Sequence, residues 1–315
     1  MTGGVAMFLA FGIGVWVTGV LDDRFWPIMI GAALLVVIGL FDDRHNLDFR
    51  IRFVGQGIAA GVLVIGAGVR VDSLGNLLGF GVIDLGFLAI PFSIFAVVGM
   101  VNAINMLDGL DGLAGSITLV ILGGIITLGV AADSGVVMPA LILAAAVLGF
   151  LALNFRFPWR PRARVFMGDA GSNFLGYCLA WFVIALPQHA SETVAPVHVL
   201  WLVGFPVADT LATMWRRGRQ GLSPFHAGHD HAHHWLRKAG VGVRMTVLIL
   251  VLTSFAYTLT GVSGALYSSL PESVLTYLFA VILALMAMLL PRIGLLPWLF
   301  QRDAGKKHAE SSNDA

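Results

Sequence analysis

Two carboxylates and two carboxamides follow a long apolar run within one short segment, residues 102–112. Asn102, Asn105, Asp108 and Asp111 all carry hard oxygen ligands, the type that Mg²⁺ prefers in proteins. Charges beside a membrane-type segment are costly and therefore mark functional sites. The spacing of Asp108 and Asp111 predicts one shared helix face, where like charges repel unless a cation lies between them. The segment predicts a metal-assisted site at a membrane face.

A second acidic pair, Asp42-Asp43, is followed by Arg50 and Arg52. Carboxylates at a helix end can serve as a base or as metal ligands, and arginines can hold phosphate groups as rigid forks. The alternative is a helix-terminal charge cluster that only stops translocation.

A third segment, residues 165–173, combines glycines with Ser172 directly before an apolar run. Such a helix start exposes backbone N–H groups that can cradle a phosphate. Asp169 would repel a bare phosphate but would accept a Mg²⁺ bound to one. Phe166 could stack on a base, although a single Phe more often packs in the membrane. A plain helix N-cap is the alternative interpretation of the segment.

A fourth segment, residues 226–234, holds five of the nine histidines. A zinc site is conceivable from His231, His233 and His234. No cysteine or glutamate lies near them, whereas arginines flank the tract on both sides, so phosphate binding fits this composition better. A solvated loop is the bland alternative.

Composition places these segments in a membrane protein. Hydrophobic residues make up 58% of the 315 residues and charged residues 12%, about half the charged share of ordinary globular domains. The net charge of +1 argues against nucleic acid as a partner. We predict an all-α polytopic integral membrane protein with about ten transmembrane helices, because lipid cannot satisfy an open backbone. The ten apolar segments are 4–20, 27–41, 53–69, 85–101, 113–131, 137–155, 172–187, 196–214, 245–267 and 273–291.

Ten spans place alternate loops on opposite sides of the membrane. The loops at 41–52, 102–112, 156–171 and 215–244, with the tail after 291, hold 17 of the 19 Lys and Arg residues. The positive-inside rule predicts that this side is cytoplasmic. All four chemistry-bearing segments fall on it. Carboxylates for Mg²⁺ and cationic donors for phosphates, at one leaflet, indicate phosphoryl transfer between a soluble nucleotide and a lipid. An ion-coupled transporter and a structural scaffold are the competing classes.

At these residues the chain resembles the polyprenyl-phosphate N-acetylhexosamine-1-phosphate transferases. The resemblance runs through nearly the whole chain, and its later motifs favour the WecA-like branch, the undecaprenyl-phosphate N-acetylglucosamine-1-phosphate transferases, over the muramoyl-pentapeptide branch. Family members usually carry one more helix ahead of Gly3-Gly4, and Asp-Arg where this chain has Gly228-His229. The motifs that carry the likeness are Gly3-Gly4, Asp42-Asp43, Asn102–Gly112, Val165–Ser172, Pro206–Asp209, Met214–Arg217, Ser223–Phe225 and His231–His234.

The resemblance implies transfer of N-acetylglucosamine 1-phosphate from UDP-N-acetylglucosamine to undecaprenyl phosphate, with release of UMP. Another UDP-N-acetylhexosamine or the muramoyl-pentapeptide donor is the alternative substrate. It further implies Mg²⁺ or Mn²⁺ as the cofactor and the bacterial inner membrane as the location. Residues 1–300 are then one transmembrane transferase domain and 301–315 a disordered cytoplasmic tail. Self-association into a homodimer is left open.

The family likeness also implies roles for single residues. Asp169, with Asn105 or Asp108, would bind the metal. Asp42 or Asp43 would deprotonate or orient the lipid phosphate, so that Asp42, Asp43 and Asp108 are the catalytic candidates. The substrate-binding candidates are Asn102, Asp111 and Phe166 (the last two at the uracil), and, at the diphosphate, Arg52, His231, His233 and His234.

Overall fold

A computed structural model describes residues 2–20, 25–189, 193–223, 228 and 230–293. This part of the chain is helical, and two isolated β-bridges, Ser73–Asp84 and Phe157–Arg160, are its only extended pairings. The predicted tail at 301–315 lies outside the described residues. The helices are α1 Gly3–Thr18, α2 Phe25–His45, α3 Phe49–Gly61 with a π-helical turn Val62–Gly66, α4 Ala89–Leu107, α5 Leu113–Ala131, α6 Val137–Asn154, α7 Gly168–His189, α8 Pro196–Leu202, α9 Gly204–Arg219, α10 Ala232–Lys238, α11 Val243–Tyr267 and α12 Glu272–Ile293.

The all-α membrane architecture predicted from the sequence is confirmed. Within the described chain, eight helices are long and apolar enough to cross a membrane, α1 is a shorter apolar helix, and all ten predicted segments contain helix. The eighth segment is not one straight helix, because α8 and α9 meet at an angle of 80°. The break falls at Val203, and Pro206 lies in the first turn of α9, where a missing N–H costs nothing.

Helix α7 lies at the centre of the bundle and packs against α1, α2 and α4. Small residues let these backbones approach closely, as is typical of membrane helices. A Cβ added to Gly39 of α2 would overlap the backbone of Ala170, and one added to Gly4 of α1 would overlap the backbone of Gly171. The first turn of α7 is therefore held in place by two neighbouring helices.

The loops gather at two ends of the bundle. At one end, the segment between α3 and α4 folds back on itself and is fastened to α12, since the N–H of Asn76 donates to Glu272 and the hydroxyl of Tyr277 donates to the carbonyl of Leu78. At the other end lie the described residues of the four chemistry-bearing segments, which for the fourth are 228 and 230–234. Contacts between distant parts of the chain, such as Asp43 with Asp169, bring them together.

Candidate active site

Four carboxylates from three helices form an acidic cluster at this end of the bundle. Asp42 and Asp43 lie in the last turn of α2, Asp108 directly follows α4, and Asp169 is in the first turn of α7. The expectation that Asp108 and Asp111 share a helix face is wrong. Helix α4 ends at Leu107, and residues 108–112 form a turn in which Gly112 has a φ of 83°, a conformation that glycine adopts without strain.

Asp169 is held by residues from two other helices. Its backbone N–H donates to Asp43 Oδ1 at 2.9 Å, so that a carboxylate of α2 caps the start of α7. The side-chain amide of Asn105 donates to Asp169 Oδ1 at 2.7 Å and to Ser172 Oγ at 3.0 Å. Asn105, a predicted metal ligand, thus orients the Asp169 carboxylate and keeps its own carbonyl oxygen for another partner.

The two adjacent aspartates of α2 have different surroundings. Asp42 is buried, and its oxygens accept hydrogen bonds from the N–H of Leu47 at 2.8 Å and from Arg52 at 3.1 Å. Arg52 is therefore already paired with a carboxylate, which joins the end of α2 to α3. Asp43 uses Oδ1 to cap α7, but its buried Oδ2 has no hydrogen-bond partner within the described residues. Of the pair, Asp43 keeps an oxygen for chemistry.

Asp108 lies among other negatively charged side chains. Burial raises the pKa of Asp108 to about 8, and the charges of Asp169, Asp43 and Asp111 add to the shift. Close carboxylates favour the protonated state of one of them unless a cation neutralises the group. A cation bound here would therefore neutralise the group and displace that proton.

Asp111 points away from this cluster towards the loop between α6 and α7. Its Oδ2 accepts hydrogen bonds from Arg156 at 2.6 Å and from the N–H of Ala163 at 3.3 Å. Phe166, in the same loop, has an exposed side chain (56%) that is open to a stacking partner. The structure thus brings both predicted uracil-binding residues to one loop, with Asp111 already paired to an arginine.

The histidine segment lies beside the acidic cluster. A Cβ added to Gly109 would overlap the ring of His233, so the segment packs directly on the turn that carries Asp108. His233 and His234 have ring centroids 3.9 Å apart, and His231 lies parallel to His233 at 6.3 Å. His233 therefore lies beside the turn that carries Asp108, and His231 and His234 lie next to its ring.

A cavity of about 1660 Å³ opens between α3, α4, α7 and α9, and its lining is mostly apolar. Its lining on α4 extends from Pro91 to Met106, a helix rise of roughly 22 Å. Asn102 and Met106 mark the end nearest the acids. Asn102 donates to Gln56 at 2.7 Å, so this predicted substrate-binding residue lies where the apolar cavity meets the polar site.

The sequence pattern of glycosyl transferase family 4 matches residues 25–187, which include the whole acidic cluster. The chain belongs to glycosyl transferase family 4. Similar proteins named undecaprenyl-phosphate alpha-N-acetylglucosaminyl 1-phosphate transferase occur in Salmonella typhi (31% identical, covering 89% of this chain and 76% of the relative), Yersinia pestis (29%, 89% and 76%) and Escherichia coli K12 (30%, 79% and 68%).

As a family 4 member this protein is a sugar-phosphate transferase, and the resemblance noted in its motifs is confirmed. Its acids suit the divalent metal that such chemistry uses. No three His, Cys, Asp or Glu side chains of the described residues form a metal-binding group. Mg²⁺, however, commonly takes one or two carboxylates and completes its shell with water and substrate phosphates. The raised pKa of Asp108 and the partnerless Asp43 Oδ2 fit a cation held in that open manner.

Several residues of this family 4 site escape prediction from the sequence. Asn154 accepts from the N–H of Gly112 and donates to the carbonyl of Val165, which fastens the acidic turn to the loop before α7. The sequence identifies Arg156 only as one positive charge in a loop, whereas in the structure it pairs with Asp111. For Asn154, the available signal was its place as a polar residue at the end of an apolar run. Arg156 offered no such signal, because its partner lies 45 residues away.

Proposed function

We propose that the protein transfers N-acetylglucosamine 1-phosphate from UDP-N-acetylglucosamine to undecaprenyl phosphate and releases UMP. The observation that carries the proposal is the position of the acidic cluster at the end of a long apolar cavity, with Asn102 at the junction. A lipid phosphate with its chain in the cavity would present its head group to the acids. The names of the relatives favour the same donor and acceptor.

In this reaction an oxygen of the lipid phosphate attacks the β-phosphorus of the donor. The bond from that phosphorus to the bridging oxygen breaks, and UMP leaves. Asp169 and Asp108 would hold Mg²⁺ or Mn²⁺, which when bound neutralises diphosphate charge. Asp43 would accept a proton from the lipid phosphate or orient it, whereas Asp42 serves to position Arg52 and the end of α2.

The remaining contacts assign the substrate groups. Phe166 and Asp111 would hold the uracil by stacking and hydrogen bonding, and Arg156 would fix the carboxylate of Asp111 for that purpose. The histidine segment would bind the diphosphate beside the Asp108 turn.

We also propose that the site faces the cytoplasm from the bacterial inner membrane. Within the described residues the opposite end of the bundle carries Arg70 as its only Lys or Arg, and the site end carries the arginines of three loops. The positive-inside rule favours this orientation. Self-association into a homodimer stays a prediction.

The direct test uses purified protein, undecaprenyl phosphate, Mg²⁺ and one nucleotide sugar at a time. UMP release is expected with UDP-N-acetylglucosamine, at a higher kcat/KM than with UDP-N-acetylgalactosamine or the muramoyl-pentapeptide donor, and EDTA should abolish it. Preference for another donor would correct the sugar while keeping the reaction class. Absence of UMP with every donor would overturn the proposal.

A further inference from the structure

Helix α9 carries a buried aspartate, Asp209, that contacts the histidine segment. Its side chain is 1% exposed, and both of its oxygens are engaged at the start of the histidine segment. Oδ2 lies 2.8 Å from His231 Nδ1, and Oδ1 accepts the backbone N–H of Ala232 at 2.8 Å. A buried carboxylate is retained only when it is fully hydrogen-bonded. Both oxygens of Asp209 are engaged in this way, one by His231 and one by Ala232.

The pairing decides which ring nitrogen of His231 carries the proton. A carboxylate can only accept, so Nδ1 of His231 must donate to it. The other nitrogen, Nε2, lies on the opposite edge of the ring and is the atom left for a substrate. Carboxylates fix the tautomer and the ring plane of metal-binding histidines in the same manner.

The backbone of the histidine segment has a second, independent anchor. The carbonyl of Asp230 accepts from Arg216 and from the indole N–H of Trp235, each at 2.7 Å, and its carboxylate pairs with Arg217. The segment is therefore fastened to α9 without Asp209. Since the anchoring is duplicated, the particular contribution of Asp209 is to the His231 ring.

The His231 ring is linked to the acidic cluster through the ring of His233. It lies parallel to the ring of His233, and His233 packs on Gly109, next to Asp108. A rotation of the His231 ring would therefore disturb a row of imidazoles that ends at the candidate metal-binding turn.

We propose that Asp209 is a positioning residue for the transfer reaction, which fixes the proton of His231 on Nδ1 and presents Nε2 to the phosphate groups of the substrates. The proposal rests on the proposed function for its substrates. This role gives a function in the reaction to the buried pair of Asp209 and His231.

The test compares Asp209→Asn with the wild type. Asparagine can keep the contact with the Ala232 N–H through its carbonyl, but its NH₂ group then faces Nδ1 and forces the proton of His231 onto Nε2. We expect an unchanged melting temperature and a fall in kcat/KM for the nucleotide sugar of roughly 10- to 100-fold, the usual effect of losing such a partner. Asp133→Asn, an exposed site at the other end of the bundle, is the matched control.

A double-mutant cycle decides whether Asp209 acts through the histidine. If it does, Asp209→Asn has no further effect in a His231→Gln background. Additive losses, or a single variant with activity within twofold of the wild type, would overturn the proposal.

The tautomer is measured separately from activity by ¹⁵N NMR of histidine-labelled protein, with the His231 signal identified by its absence in His231→Gln. The wild type should show protonation at Nδ1 and Asp209→Asn protonation at Nε2. An unchanged His231 signal refutes the proposal even if the enzyme is active. A changed signal in a protein that releases no UMP would instead refute the proposed function and leave the tautomer assignment standing.

Discussion

Asp108 and Asp230 lie at the same end of the bundle, and their environments shift their acidity in opposite directions. Burial raises the pKa of Asp108 to about 8, and three neighbouring aspartates add to the shift. Burial also acts to raise the pKa of Asp230, but its hydrogen bonds with Arg217 and the neighbouring positive charges together outweigh that effect, and the pKa falls below its ordinary value. The first carboxylate belongs to a cluster of like charges, and the second belongs to an ion pair.

This difference distinguishes carboxylates that are available for the reaction from carboxylates that hold the site in shape. Asp230 gives its charge to Arg217 and its carbonyl to Arg216 and Trp235, so it fastens the histidine segment and has no capacity left for a ligand. The acids around Asp108 repel one another and would be stabilised by a bound cation. In such a site the unbalanced charge indicates where the ligand binds, and the balanced charge indicates what holds the site in shape.

The largest effect should come from the unbalanced cluster. Asp169→Asn removes a carboxylate that the fold uses little, because the N–H that Asp43 accepts and the amide of Asn105 both remain. We expect kcat to fall by roughly 10³-fold, as when a transition-state charge partner is lost, with a melting temperature within a few degrees of the wild type. UMP release and thermal unfolding in detergent measure the two quantities. Unfolding of the variant would instead assign Asp169 to the scaffold.

The balanced pair should show the reverse pattern, a loss of stability. Asp230→Ala leaves the buried Arg217 guanidinium without its carboxylate, which costs about 3 kcal/mol, the lower end of the range for buried pairs, because a quarter of the Asp230 side chain is exposed. Thermal unfolding measures the loss. Replacing Arg217 by Met in the same chain should recover part of it. A double variant no more stable than Asp230→Ala would contradict the pairing argument.

The same distinction explains which parts of the site can be predicted from the sequence. The helices and the gathering of the acids at one end follow from local properties, the length of apolar runs and the charge of the loops between them. The helix start at Asp169 follows from the glycines and the serine beside it, whereas the role of Asp169 in the reaction stays a prediction. These signals lie within a few residues of the feature they predict.

Pairings across the chain have no such local signal. The partners of Arg52, Asp111 and His231 depend on how the helices pack, so all three residues, which were expected at substrates, are found paired with other side chains. The helical spacing of Asp108 and Asp111 misled for a related reason. A three-residue spacing implies one face only if the helix continues, and Gly109 and Gly112 favour the turn that ends it.

Protonation of Asp108 gives a smaller effect with a definite sign. The carboxylate loses its proton near pH 3.8 when unfolded and near pH 8 when folded, so the unfolded state binds fewer protons between these values and stability falls as the pH rises through that window. Metal-free Asp108→Asn should avoid this loss, so its melting temperature should exceed that of the wild type by a margin that widens as the pH rises towards 8. Melting curves from pH 5 to 8 in EDTA measure it. Identical pH slopes for variant and wild type would contradict the assignment, and added Mg²⁺ should stabilise the wild type more than the variant.

The smallest effect is expected at the opposite end, where Arg70 and Asp72 form a salt bridge of 2.8 Å with both side chains at least half exposed. This pair is balanced like Arg217 and Asp230, but water screens it, so Arg70→Ala should cost less than about 1 kcal/mol and the cost should vanish in high salt. Thermal unfolding at low and high ionic strength measures both values. A cost as large as that of Asp230→Ala would mean that charge balance by itself sets the stability. A small, salt-sensitive cost would show that an ion pair acts as scaffold here because it is buried beneath the histidine segment.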